Sequence, residues 1–144
     1  MWNIEKLSNL SGIEVFQLLK ARIDTFVVEQ TRIYYEADAI DLEAYHVFHK
    51  NESGEVDAYA RIFEKDDHVV FGRVLTSKGV RGTGIGGRLV EKIMEFCNEK
   101  FPDRDIVIEA QVPVAGLYKK FGFHIEGEEF LHEGTPYITM RYSR

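Results

Sequence analysis

Cysteine and proline are scarce in this chain of 144 residues, which contains one cysteine and three prolines. The one cysteine, Cys97, has no partner for an intramolecular disulfide and no companions for a cysteine–metal cluster. It falls on the apolar side of a predicted helix, so we expect a small core residue. Because no repeat, low-complexity tract or Pro- or Ser-rich linker interrupts the chain, we predict a single domain over residues 1–144.

Long hydrophobic runs and basic residues are also in short supply. No apolar run approaches the length of a membrane span, and residues 1–12 lack the basic start and apolar block of a secretion signal. We therefore expect a cytoplasmic protein with no membrane partner. Lysine and arginine total 18 against 24 acidic residues, a net charge of −6 that disfavours nucleic acid as a partner. An anionic ligand therefore needs a local cationic or dipolar site.

Hydrophobic periodicity predicts an alternation of strands and helices. Residues 24–43 show neither the periodicity of a helix nor the alternation of a strand. A meander followed by a strand–helix–strand–helix–strand succession favours an α/β or α+β domain around one mixed sheet. In chain order we predict a strand near 2–6, a helix capped by Ser11, antiparallel strands at 44–50, 56–64 and 69–77, a helix over 84–101, a strand at 106–108, a short helix over 113–121, and strands at 123–126 and 137–142.

Four glycines lie within six residues where a predicted strand passes into the strongest predicted helix, in the segment 81–88. Glycine lets a ligand approach the main chain closely, and the first turn of a helix carries N–H groups without partners. Together with the helix dipole these groups favour an anion such as phosphate or pyrophosphate. Arg81, Arg88 and Lys78 supply the local positive charge that the overall charge of −6 makes necessary.

Other classes of glycine-rich loop agree less well with the sequence. A P-loop requires a Lys-Ser/Thr pair that is missing here, which disfavours nucleotide hydrolysis. The spacing of Gly82, Gly84 and Gly87 matches the G-x-G-x-x-G pattern of dinucleotide sites. However, it follows an antiparallel meander and leaves too little chain for a dinucleotide domain. A turn that merely starts a helix is a third alternative, and the density of glycines beside an arginine favours phosphate binding over it.

The segment Arg81-x-x-Gly84-x-Gly86 resembles the acyl-coenzyme A (acyl-CoA) loop of the GNAT superfamily of N-acetyltransferases, whose pattern is Arg/Gln-x-x-Gly-x-Gly/Ala. The resemblance implies a GNAT-like domain with a mixed, mostly antiparallel sheet flanked by helices. It implies that the main chain of the preceding strand, at Val74, Leu75 and Thr76, binds the pantetheine arm and thioester of acetyl-CoA. It also implies that the pyrophosphate binds to the loop, formed by Arg81, Gly82, Thr83, Gly84, Ile85, Gly86 and Gly87.

A second motif lies downstream, where residues 118–123 are similar to the superfamily's Tyr-x-x-x-Gly-Phe signature. The resemblance implies that Tyr118 is the general acid that protonates the departing thiolate, a role suited to a phenol that is uncharged at neutral pH. A buried core tyrosine is the alternative. The N-terminal half, from Arg22 to His46, resembles the ElaA-type branch. Just before the C-terminal sequence Ile138-x-Met140, this chain has Tyr137 where the resemblance leads us to expect a histidine. Any role that the histidine has in the family is therefore not assigned to this chain.

An amine acceptor must lose a proton before it attacks a thioester, and three residues are candidate bases: Glu29, His46 and Glu109. Glu29 follows an apolar run, where burial would raise its pKa, and Glu109 ends a strand beside the expected cleft. For each residue a structural role is the alternative, and a water chain can replace a base. The five histidines show no metal-ligand spacing, so no metal is expected.

The acidic loop 36–43 predicts attraction of a cationic amine, which favours a polyamine-like or lysine-like acceptor. Tyr34 and Tyr35 are candidates for lining a pocket or for a homodimer contact. The sequence thus predicts transfer of an acetyl group from acetyl-CoA to a small-molecule or peptide amine by direct attack in a ternary complex. A non-catalytic acyl-CoA sensor or interaction module on the same fold is the alternative.

Overall fold

The computed structural model describes residues 1–32 and 35–144. A π-helix, Ile23–Glu29, continues the first α-helix, and short 3-10 turns at Ala39–Leu42 and Lys78–Val80 precede β2 and α2. The strands and α-helices of the described residues are β1 (Trp2–Lys6), α1 (Gly12–Arg22), β2 (Tyr45–Lys50), β3 (Val56–Lys65), β4 (His68–Thr76), α2 (Ile85–Lys100), β5 (Ile106–Gln111), α3 (Ala115–Lys120), β6 (His124–Ile125), β7 (Phe130–His132) and β8 (Thr135–Tyr142).

These strands form one sheet. Its order is β1-β2-β3-β4-β5-β8-β6, and β7 pairs with β8. Every neighbouring pair is antiparallel except β4 and β5, which are parallel. The predicted fold class, a mixed and mostly antiparallel sheet flanked by helices, is therefore confirmed.

The pairing of β4 with β5 is limited to the start of both strands. Val69 and Ile106 are the only matched pair between them among the described residues. Because β4 runs on to residue 76 and β5 to residue 111, the two strands separate toward their carboxyl ends. β4 also contains a bulge at Arg73, whose φ is +51°, and two of its residues there oppose Ala60 of β3. A bulge bends its strand, which adds to the separation.

The two faces of the sheet have separate hydrophobic cores, because successive residues of a strand point to opposite sides. On one face, Leu89 and Ile93 of α2 pack with Ala60 of β3. On the other face, Leu18 of α1 packs with Tyr59, the preceding residue of the same strand. Burying each such aliphatic side chain stabilises the fold by about 1.5–3 kcal/mol. Cys97 lies fully buried in the α2 core, where burial raises its pKa to about 12, so its prediction as a core residue is confirmed.

Two local features depart from the sequence pattern. Ser11 caps α1 through a reciprocal capping box with Glu14, as predicted, but Ile13 and Phe16 of that helix are 72% and 64% exposed. α1 therefore buries a narrower stripe than its apolar residues suggest. The short strand β7 was not predicted, because three residues carry too little periodicity. Among the residues described, no helix combines the length and apolar character needed to cross a bilayer.

Candidate active site

The separation of β4 and β5 opens a cleft of about 540 Å³. Its lining draws on both faces of the sheet: Arg61 and Phe63 of β3 share the face of Tyr59, whereas Phe71 and Tyr118 belong to the core on the α2 side. Of the predicted site residues, those that line it are Val74, Leu75, Thr76, Arg81, Gly86, Glu109 and Tyr118. The remaining loop residues and Glu29 lie beside this lining rather than within it.

The glycine-rich loop meets the start of α2 at the end of the cleft next to β4. Gly82 and Gly84 have φ of +85° and +83°, the left-handed region in which a side chain is strained. Gly84 is the N-cap of α2, and no side chain caps this helix. The first amides of α2, at Ile85, Gly86 and Gly87, therefore have no partner within the helix or from a cap. This arrangement fits a pyrophosphate, which would accept hydrogen bonds from these amides.

Arg81 of the same loop is directed back toward the main body of the protein. Its guanidinium donates two hydrogen bonds to Glu29, at 2.7 and 3.0 Å, and two to the carbonyl oxygen of Thr76, at 3.2 and 3.0 Å. The hydrogen bonds and charge of Arg81 lower the pKa of Glu29 below its ordinary value of 4.5. The expectation that burial would raise the pKa of Glu29 is therefore wrong, and its geometry is that of an ion-pair partner.

Tyr118 reaches the cleft from α3, behind the gap between the separated strands. Its side chain is 4% exposed and packs against Phe71 and Phe123, with ring centroids 5.8 and 6.0 Å away. Burial raises its pKa to about 12, so the phenol stays protonated at neutral pH. Its hydroxyl makes no hydrogen bond within residues 1–32 and 35–144. A proton on this oxygen is therefore available to a ligand in the cleft.

Glu109 lies on β5 opposite Thr139 of β8, and both side chains line the cleft. Glu109 is solvent-exposed, and it is the only carboxylate that lines the cleft within the described part of the chain. His46, the third candidate base, is fully buried outside this lining. Its ring nitrogens contact Tyr59 Oη at 2.6 Å and the carbonyl oxygen of Asp41 at 3.0 Å, and burial lowers its pKa. These contacts give His46 a structural role.

The acidic loop that precedes β2 is held by buried arginines. Glu36 and Asp41 are each 6% exposed, and Arg22 binds both, with Nε to Glu36 at 2.7 Å and Nη1 to Asp41 at 2.9 Å. Arg61 binds Asp38 at 2.6 Å and Asp41 at 3.0 Å. Burial alone would raise the pKa of Asp41, but its bonds to the two arginines outweigh burial and lower it. Arginines thus bind three carboxylates of this loop, Glu36, Asp38 and Asp41, and the attraction of a cationic amine to the loop stays a prediction.

The structure adds residues to the cleft that sequence reasoning missed. Arg32 is buried and donates a hydrogen bond from Nη1 to Tyr137 Oη at 3.0 Å, across 105 positions of the chain. A second bond runs from Arg32 Nη1 to Gln30 Oε1 at 3.4 Å. The available signal was Tyr137 itself, at the position where a histidine was expected. Tyr35 is 93% exposed, and the prediction for Tyr34 lies outside the described residues. Within the described part of the chain, no group of histidine, cysteine or acidic residues could hold a metal.

Two strands that separate beside an uncapped, glycine-rich helix start, with a tyrosine in the gap, define the acyl-CoA N-acyltransferase class of fold. A sequence model of the acetyltransferase (GNAT) domain matches residues 14–144, and the chain belongs to this family. Protein ElaA of Escherichia coli is 37% identical over 145 residues, which cover 96% of this chain and 94% of ElaA. The resemblance to the GNAT superfamily and to its ElaA-type branch is confirmed.

Solved structures agree with this assignment. The crystal structure of E. coli ElaA matches with a TM-score of 0.93 and 34% identity, covering 99% of both chains. An acyl-CoA N-acyltransferase from Pseudomonas aeruginosa matches with a TM-score of 0.93 and 30% identity, also over 99% of both. An aminoglycoside 6'-N-acetyltransferase complexed with coenzyme A shares the fold, with a TM-score of 0.71 and 13% identity over 96% of this chain and 95% of that one. Membership of this family implies acyl-CoA binding and acyltransferase activity.

Proposed function

We propose that this protein transfers an acetyl group from acetyl-CoA to a primary amine by direct attack within a ternary complex. The observation that carries the proposal is the single cleft that connects three features. It begins near the uncapped start of α2, passes the side chain of Tyr118, and continues to that of Glu109. An anion site, a proton donor and a proton acceptor are the groups that this reaction requires.

The acyl-CoA end of the cleft is built mainly from main-chain groups. The amides of Ile85, Gly86 and Gly87 would hold the pyrophosphate, and the bulged edge of β4, at Val74 to Thr76, would hold the pantetheine arm along the gap. When bound, acetyl-CoA supplies an acyl group already activated as a thioester. The chief task of the protein is then to hold the two reactants in line, which is a large part of catalysis.

Tyr118 serves as the general acid in this proposal. The amine nitrogen forms a bond to the acetyl carbon, the carbon–sulfur bond breaks, and the sulfur takes the phenolic proton. A pKa of about 12 keeps that proton in place at neutral pH. The amine gives up its own proton to Glu109, directly or through water. Glu29 is less suited to this task, because its carboxylate binds Arg81.

Thiol release from acetyl-CoA, followed with a chromogenic thiol reagent against a panel of amines, tests the proposal. We expect release that depends on one class of amine. The Tyr118→Phe variant should lose about 10²-fold in kcat and keep coenzyme A binding, because it removes only the proton. Tyr45→Phe, on β2 outside the cleft lining, is the matched control and should keep wild-type kcat.

Two outcomes would count against parts of the proposal. Unchanged turnover of Tyr118→Phe, when chemistry limits the rate, would remove the acid assignment. No thiol release with any amine, together with clear thermal stabilisation by coenzyme A, would favour a non-catalytic acyl-CoA sensor on this fold.

A further inference from the structure

The cleft continues past Glu109 over three neighbouring strands of the sheet. Phe63 of β3 pairs with Val70 of β4. Val107 of β5 lies beside Val70, because the preceding residues of the two parallel strands, 69 and 106, are paired. All three side chains line the cleft. Phe63, Val70 and Val107 therefore form one row of apolar side chains across the sheet, here called the apolar row.

The apolar row is partly exposed, although the residue before each of its members is fully buried in the α2 core on the other face. Within the described part of the chain, the core beneath α1 reaches Tyr59 of β3 and Leu75 of β4 and does not include the row. An apolar surface that lines a cleft favours a ligand whose own apolar part displaces water from it. The row is therefore suited to the uncharged body of an acceptor.

Glu109 lies at the end of the apolar row that faces the gap between β4 and β5. It follows Val107 by two residues on β5, about 7 Å along the strand and on the same face of the sheet. Among residues 1–32 and 35–144, it is the only carboxylate in the cleft lining. One carboxylate followed by an apolar surface matches one ammonium group followed by an apolar chain.

The opposite end of the cleft is formed by Lys65 and His68, which pair across β3 and β4. His68 precedes by four residues the part of β4 that lies beside Glu109, a separation of about 13 Å. His68 contacts the carboxylate of the exposed Asp67 at 3.2 Å, whereas Lys65 has no hydrogen bond or ion pair within the described residues. A second ammonium on the same acceptor would therefore meet the like charge of Lys65.

We propose that the acceptor is a primary amine carried on an uncharged apolar chain. Its ammonium lies at Glu109, and its chain lies over the apolar row, directed away from the gap that holds the thioester. This proposal rests on the proposed acetyl transfer and names the acceptor class for the same cleft. A polyamine-like acceptor, which the acidic loop predicts, is the alternative that the experiments separate from it.

A series of unbranched alkylamines, from propylamine to octylamine, tests this assignment in the thiol-release assay. Their amino groups have nearly the same basicity, so intrinsic reactivity changes little along the series. We expect kcat/KM to rise about two- to threefold for each added methylene, because one side of the chain contacts the apolar row. Diamines of the same length are the matched acceptors. They should have a kcat/KM at least about tenfold lower, because their second charge must leave water over an apolar surface.

A double variant, Val70→Thr with Val107→Thr, links the length dependence to the apolar row. Threonine keeps the branched shape that suits a strand and replaces a methyl group by a hydroxyl. We expect octylamine to lose about five- to tenfold in kcat/KM and propylamine to lose less, since its chain is too short to cover the row. Val28→Thr, the same type of change at a residue that is 65% exposed and outside the cleft lining, is the matched control. Thermal unfolding of each variant shows whether it is folded.

A binding measurement keeps the proposal testable without turnover. With coenzyme A present, N-hexylacetamide should bind about tenfold more tightly than N-propylacetamide in calorimetry, and the double variant should reduce the difference. Equal rates and equal binding at all chain lengths, or faster reaction of diamines than of monoamines, would overturn the apolar-chain assignment and leave acetyl transfer standing. Length-dependent binding of these products without thiol release from any amine would instead contradict acetyl transfer and support the role of the apolar row.

Discussion

The two ends of the cleft are built in different ways. The acyl-CoA end consists of consecutive residues, with two glycines at positive φ and the uncapped start of α2. The acceptor end depends on side chains from distant parts of the chain, such as Arg32 with Tyr137 and Arg22 with Glu36 and Asp41. The first end is specified locally and the second by packing. It follows that single substitutions should damage one end while leaving the other intact.

The largest expected effect comes from removing Arg22, the buried arginine that holds the acidic loop 36–43. Arg22 is 1% exposed, so Arg22→Met would leave Glu36 and Asp41 buried without their main cation. We expect the free energy of unfolding, measured in urea, to fall by about 3–5 kcal/mol. The KM for the acceptor should rise, while coenzyme A binding by the folded fraction should persist.

Lys20→Met on the same helix is the matched control for Arg22→Met. Lys20 pairs with Asp24 at 2.6 Å, but the two side chains are 59% and 54% exposed. We expect little or no loss of stability, as for other exposed pairs one helical turn apart. Equal losses for the two variants would contradict the view that burial makes the Arg22 network important.

A substitution in the glycine-rich loop, at the acyl-CoA end, should have an intermediate effect, on coenzyme A binding rather than on stability. Gly84→Ala places a side chain at a φ of +83° and should weaken coenzyme A binding about tenfold, measured by calorimetry. Gly79→Ala, in the preceding turn, meets no atom within 4 Å and has no positive φ, so its Kd should match that of the wild type. Acceptor binding should be unchanged in both. Unaltered coenzyme A affinity of Gly84→Ala would show that the loop does not need this backbone conformation.

The smallest expected effect concerns the ion pair that connects the two ends. Glu29→Gln should strengthen coenzyme A binding about two- to fivefold at low salt, because it frees the charge of Arg81 for the pyrophosphate. The gain should shrink as salt is added. If Glu29 were instead the general base, kcat would fall about 10²- to 10⁴-fold.

The pH dependence of stability sharpens the test of Glu29. Arg81 lowers the pKa of Glu29 from 4.5, so the folded state binds this proton less readily than the unfolded state does. The contribution of the pair is therefore complete above pH 4.5 and is lost as the pH falls through the lowered pKa. Urea unfolding of Glu29→Gln should lack this loss. Because the carboxylate stays ionised at neutral pH, Glu29 should also cause no change in rate between pH 6 and 8.

The contrast between local and long-range contacts also explains which features could be predicted from the sequence. The glycine-rich loop and α2 could be predicted because their signals lie within about two turns of helix, from Gly82 onward. The antiparallel strands could be predicted from alternation and turns. The ion pairs of Arg22 and the contact of Arg32 with Tyr137 could not, because they join residues 14 to 105 positions apart. For the loop 36–43, composition gives the number of carboxylates but does not show which of them bind arginines after folding.

The π-helix Ile23–Glu29 has a consequence for how one continuous segment serves both ends. A hydrogen bond from the amide of Gln30 to the carbonyl of Thr25, five residues back at 3.0 Å, marks its wider winding. In an α-helix, Arg22 and Glu29 would share a face, because positions seven apart return to the same side. Here Arg22 points into the buried acidic loop and Glu29 points to Arg81. The wider winding of this segment directs its two charged residues to different partners. Deleting one residue between Arg22 and Glu29 would therefore change the directions of both side chains, although both residues would still be present.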